Sequence, residues 1–129
     1  MNLTINGKDY TLNFGIKFIR EVDKQTETVT NGIKFSTGLN PILSQLVQGS
    51  ITALADIIKY ATITNTSRPS ADEIDEYIDS LSADEYDTLV ENVLEAIKES
   101  NAGRKAFLAV KKEEAKQAEM QAKMMEKLL

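Results

Sequence analysis

Cysteine and histidine are both absent from the 129 residues. Their absence removes the disulfide scaffold, the thiolate nucleophile, the usual catalytic base and the standard zinc ligands together. The start, MNLTINGKDY, lacks a positively charged opening followed by an apolar run. No stretch approaches the ~18 apolar residues that a spanning helix requires. A cytoplasmic protein with no membrane partner is therefore expected. No glycine-rich phosphate loop occurs, and no serine has a candidate base beside it, so an enzyme is the least favoured class.

What is present belongs to an ordinary globular chain, with 42% hydrophobic and 27% charged residues. Its length is one domain's worth, enough to bury roughly two thirds of the unfolded surface. The formal net charge of -5 disfavours nucleic acid, and its distribution is uneven. Residues 1–70 carry seven bases against five acids, residues 71–100 carry eleven acids against Lys98 alone, and residues 104–129 carry seven bases against four acids. The segments thus hold +2, -10 and +3. Such polarisation points to protein partners or self-association, with the basic tail of one subunit docking on the acidic segment of another.

The periodicity predicts a β element followed by helices. Leu3 and Ile5 alternate with polar residues, Asn6-Gly7 is the preferred type I′ pair, and Tyr10, Leu12 and Phe14 resume the period of two. From Ile16 the spacing becomes helical, with Ile16, Ile19 and Val22 on one side and Phe18 beside them. Residues 25–38 contain Asn31-Gly32 between short β-like runs and read as a second hairpin or an ordered loop. Asn40-Pro41 reads as a helix start and Gly49 as its end. Ser50 caps a helix to about Thr64, whose apolar face includes Ile51, Leu54, Ile57 and Ile58. Ser70 with Glu73, and Ser82 with Glu85, are capping boxes that open two more helices. Ser100 to Gly103 reads as a break before a final helix, where Leu108, Ala115, Ala122 and Leu129 recur at seven with Ala118 and Met125 between them. That narrow seam would hold the helix only weakly, leaving it mobile until a partner arrives.

Three constellations invite a functional reading. Asp72, Asp75, Glu76 and Asp79 share a helix face but lack the glycine and terminal glutamate of a calcium loop, so a solvated face is expected and no metal or other cofactor. Asp87, Glu91, Glu95 and Glu99 recur at four, where like charges oppose each other by about 0.2–0.5 kcal/mol per pair. That ridge is either a solubility device or a surface for a basic partner. Met120, Met124 and Met125, with Phe107 and Leu108 nearer the helix start, offer an adaptable apolar surface for a partner or for packing onto the body. The two helices from Pro41 to Thr64 imitate a helix-turn-helix, yet the second carries only Lys59 as a base, which is wrong for a recognition helix.

The order of these features resembles a known family. The hairpin with Asn6-Gly7, the run FGIKFIREVD (Phe14 to Asp23), Gly38-Leu39, Ile57-Ile58 running into Ala61-Thr62, Pro69 before Ile74-Asp75 and Tyr77-Ile78, and Ser100-Asn101 resemble the tail assembly chaperones of long-tailed, siphovirus-type phages and prophages of Gram-positive bacteria. The resemblance covers residues 1 to about 103. It implies a non-enzymatic protein that binds the tape measure protein, shields its hydrophobic helices in the host cytoplasm and recruits tail tube subunits. Such proteins are absent from the finished virion, and many also exist in a longer frameshifted form. The rivals are a tail or head-tail connector component and a small DNA-binding regulator. The expected fold is α+β and mostly helical, with an N-terminal β-hairpin on a bundle of about five helices. Residues 1–103 are read as one globular domain and 104–129 as a charged amphipathic helix.

Overall fold

The computed structural model describes residues 1–128. In chain order the elements are β1 (Asn2–Ile5), β2 (Lys8–Thr11), α1 (Ile16–Gln25), β3 (Glu27–Thr30), β4 (Ile33–Ser36), α2 (Leu39–Val47), α3 (Ile51–Ala61), α4 (Ala71–Asp79), α5 (Ala83–Glu99) and α6 (Asn101–Leu128). The fold is α+β and mostly helical. Its strands form two separate antiparallel hairpins, β1-β2 and β3-β4.

Both hairpins turn at an Asn-Gly pair with positive φ, 52° and 75° at Asn6-Gly7 and 54° and 78° at Asn31-Gly32, as a type I′ turn requires. In the first hairpin the register pairs Leu3 with Tyr10 and Thr4 with Asp9. One face therefore buries Leu3, Ile5 and Tyr10, while the other bears the hydrogen bond from Thr4 Oγ1 to Asp9 at 2.6 Å. Asn65 anchors this hairpin to the helices. Its Oδ1 accepts from Thr11 N at 3.0 Å, and its Nδ2 donates to Thr11 O at 2.7 Å. Leu12, Phe14, Phe18 and Val22 are buried and Ile19 is packed against them, so they join the β element to the helical body as their spacing indicates. The rings of Phe14 and Phe18 meet edge to face, 5.1 Å apart at 88°.

Helix α3 lies at the centre, in contact with α1, α2 and α4. Its Leu54, Ile57, Ile58 and Ala61 are wholly buried, each large side chain stabilising the fold by about 1.5–3 kcal/mol relative to exposure. The predicted caps form. Ser50 accepts from Ala53 N, and the boxes Ser70–Glu73 and Ser82–Glu85 close in both directions.

Several positions depart from the sequence reading. Ile16 and Ile51, assigned to buried faces, are exposed. Both sit in the first residue of a helix, before the helix has turned onto the core. Asn40 does not cap α2; Gly38 does, at φ 75°, and no side-chain bond caps it. Pro41 consequently stands third in the helix, where a first-turn N–H has no intrahelical partner to lose. Helix α3 ends at Ala61, three residues earlier than expected.

The expected break at Ser100 to Gly103 is the single residue Ser100, since α6 begins at Asn101. Ser100 Oγ donates to Ile97 O at 2.8 Å and accepts from Gly103 N at 2.9 Å. One hydroxyl thus ends α5 and opens α6. Gly103 is buried where α6 leans on the last turn of α5. Helix α6 then crosses α2 as well as α5, burying Val110 and half-burying Ala106 and Phe107.

Candidate protein-interaction surfaces

Three surfaces lie outside the core. The first is the acidic ridge. Leu89, Val93 and Ile97 recur at four along α5 and turn into the core, which sends Asp87, Glu91, Glu95 and Glu99 outward, where all four are exposed. The ion pairs among the described residues are Lys34–Glu27, Lys111–Glu114 and Lys123–Glu119, so no ridge carboxylate is neutralised by the chain's own tail. At its start, the Tyr86 hydroxyl is buried without a hydrogen-bond partner among the described residues. Burial, then the neighbouring Asp87 charge, pushes its pKa up.

The acids of α4 do not converge. No group of three or more His, Cys, Asp or Glu among the described residues is placed to hold a metal ion. Asp75 instead faces Asp56 of α3. Burial pushes the Asp56 carboxyl up, Lys59 opposes the shift, and Asp75 adds to it.

The second surface is α6, where docked and free halves differ in chemistry. Gly103, Ala106, Phe107 and Val110 form the stripe that meets the body, with the Phe107 ring between the Lys98 and Lys111 ammonium groups at 6.0 and 5.6 Å. The seam read from the sequence lies on a different side. Leu108 is 57% exposed, and Ala115, Ala118 and Ala122 are exposed too; Leu129 lies outside the described residues. At 100° per residue the seam is turned about 100° from the docking stripe. From Ala115 to Leu128 every residue is exposed, a helical arm about 20 Å long. Met120, Met124 and Met125 stand on it at 65%, 64% and 68% exposure. The basic charge is mostly elsewhere. Arg104, Lys105, Lys111 and Lys112 lie on the docked half, and the arm holds Lys116, Lys123 and Lys127 against Glu119 and Glu126. That leaves the arm little attraction for an acidic ridge on another subunit.

The third surface was not singled out in the sequence. All eight residues of β3 and β4 are exposed. Pairing Thr28 with Phe35 and Thr30 with Ile33 puts these four side chains on one face. Val29, Ile33 and Phe35 stay open at 61%, 67% and 48%. The hairpin is tied at its base, where Ser36 Oγ donates to Asp23 O at 2.6 Å and Gly38 N donates to Thr26 Oγ1 at 3.1 Å. A lone two-stranded ribbon is marginal in water, and its β-branched alternation was the available signal. Between α2 and the docked part of α6 runs an open cleft of about 370 Å³ whose lining includes Pro41, Ser44, Gln48, Val110 and Glu114.

Among the described residues no helix is long and apolar enough to cross a membrane. No curated protein and no solved structure matches the chain significantly. A family model described as phage tail assembly chaperone protein, TAC, matches residues 2–112. The match ends two residues beyond Val110, the last buried residue of α6, so it takes in the body and the docked half of that helix. Covering most of the chain, it establishes that this protein belongs to the phage tail assembly chaperone family.

Proposed function

We propose that the protein is a non-enzymatic chaperone of the tape measure protein in the host cytoplasm, and that it recruits tail tube subunits and leaves before the virion is complete. The siphovirus-type setting in Gram-positive hosts belongs to the same reading. The observation that carries it is the location of exposed apolar surface. Among the described residues, seven of eleven exposed large apolar side chains stand on two elements, the arm with Met120, Met124, Met125 and Leu128 and the hairpin with Val29, Ile33 and Phe35. Apolar surface held away from a stable body suits a long, amphipathic helical client, and methionine accommodates varied helix surfaces. The ridge of Asp87, Glu91, Glu95 and Glu99 supplies a charged border that limits non-specific association.

Co-expression with the tape measure protein tests this reading. The wild-type chain is expected to keep the client soluble and to co-purify with it. Replacing Met120, Met124 and Met125 together by Ser is expected to lose most of that capture while the thermal transition stays in place, because all three side chains are already exposed. Undiminished client solubility with this variant would refute a role for the arm. Mass spectrometry of purified particles separates the chaperone from a connector component: stoichiometric retention in the virion would overturn the proposal.

A further inference from the structure

We infer that the free half of α6 pairs with the same segment of a second copy, as an antiparallel two-helix arm. Every residue of the helix from Ala115 to Leu128 is exposed, Gln117 still bordering the cleft against α2, and a helix of that length is marginal without a packed face. Its sequence keeps a strict seven-residue register. Leu108, Ala115 and Ala122 occupy a positions and Lys111, Ala118 and Met125 occupy d, which leaves Lys112, Glu119 and Glu126 at e and Glu114, Gln121 and Leu128 at g.

The flanking charges select both the occupant and its direction. Within the chain, Lys111 pairs with Glu114 at 3.8 Å and Lys123 with Glu119 at 3.6 Å. Lys112 and Glu126 take part in no ion pair among the described residues. They are fourteen residues apart, about 21 Å along one helix, so they meet only across two chains. In an antiparallel pair e faces e, which sets Lys112 against the partner's Glu126 and Glu126 against the partner's Lys112. The only like-charge contact is Glu119 with its own copy at the axis, and Lys123 already screens that carboxylate. A parallel pair instead opposes Lys111 to Lys111 at the seam and Glu114 to Glu119 on both flanks.

The seam agrees with that choice. Antiparallel layers put Ala115 opposite the partner's Met125 and Ala118 opposite the partner's Ala122, so the one large side chain always meets a small one. Parallel layers put Met125 on Met125 and leave the alanines facing each other. The overlap of about 25 Å by 10 Å on each helix is small beside the ~1,200 Å² of stable interfaces, which makes the dimer a reversible one. Met120 and Met124 sit at f and c, outside the seam. On the chaperone reading, the dimer offers a client two copies of that surface; the pairing itself does not depend on that reading.

Sedimentation velocity of the full chain over a wide concentration range tests the pairing without any client. Wild type is expected to show a reversible monomer–dimer equilibrium. Lys112→Glu and Glu126→Lys each turn two attractions into repulsions and are expected to raise the dissociation constant about tenfold. An equimolar mixture of the two variants restores both attractions and is expected to dimerise as wild type does, as is the double variant. Circular dichroism checks that helix content is unchanged. A monomer at every concentration, a dimer indifferent to either charge reversal, or a mixture no tighter than its components would each overturn the inference.

Discussion

Replacing Gly103 by Ala is expected to destabilise the protein, against the usual effect of that substitution in a helix. Alanine is favoured over glycine inside a helix by about 1 kcal/mol, so the change would raise stability at an open position. Here the added methyl would lie 2.5 Å from Ser100 Oγ, 2.6 Å from the Ile97 carbonyl oxygen and 2.7 Å from Ile97 Cγ2. The carbonyl belongs to the last turn of α5 and cannot swing aside as a side chain does. Relief requires α6 to move away from α5, which also loosens Val110 and Phe107 farther along the same stripe. Overpacking of this kind costs about 1–3 kcal/mol. Taking the middle of that range, about 2 kcal/mol, less the helix-propensity gain of about 1 kcal/mol, the net loss is about 1 kcal/mol, or roughly 4 °C in Tm for a chain of this length. Thermal unfolding followed by far-ultraviolet circular dichroism measures it, and tryptic cleavage after Lys111 or Lys112 should quicken in parallel. A Tm equal to or above wild type would refute the close packing of α6 on α5 and the single-residue joint at Ser100.

Limited trypsin digestion of the wild-type chain is expected to cut first at Lys116, Lys123 and Lys127 on the free arm, and only later at Lys111 and Lys112; early cleavage at the latter pair would argue against stable docking. Neutralising Glu91 and Glu95 together to Gln is expected to leave Tm level or slightly higher, since each relieves like-charge neighbours on an exposed ridge, and a clear drop in Tm would contradict that. Acid should act on the caps. Hydrogen bonds from the backbone and then the side chains of Ser70 and Ser82 hold the Glu73 and Glu85 carboxyls below their ordinary value of 4.5. The unfolded state therefore takes up these protons first as pH falls, so the stabilisation is complete above about 4.5 and is lost as pH drops through the lower folded-state values. Glu73→Gln and Glu85→Gln should flatten the acid limb of a Tm–pH profile, and an unchanged profile would show the boxes to be idle.

The first hairpin turn and three of the helix starts were legible because each depends on residues within three or four positions, while the second Asn-Gly turn was left between a hairpin and an ordered loop. Asn-Gly favours the positive φ of a type I′ turn by its own chemistry, and Ser70 and Ser82 meet their glutamates one turn away. The core residues of α3 and α5 followed from spacing for the same reason. Family membership was legible from the order of such features. The acidic ridge was placed correctly on the surface because Leu89, Val93 and Ile97 recur at the interval that turns the intervening carboxylates outward.

What the sequence left open was the phase and reach of elements whose partners lie far along the chain. On α6 it showed the heptad through Ala115 and Ala122 and a break at Ser100 to Gly103, whereas the stripe that meets the body is Gly103-Ala106-Phe107-Val110, which the heptad spacing does not reveal. Ser100 decided that, by setting the direction in which α6 leaves α5, and buried Gly103 let the helix follow. Likewise residues 25–38 read as a second hairpin or an ordered loop, and nothing local says that among the described residues β3-β4 stays a two-stranded ribbon with Val29, Ile33 and Phe35 left open. Local bonding chemistry determined the elements by themselves; which faces were left uncovered, and hence where a partner is received, was decided only by how those elements packed.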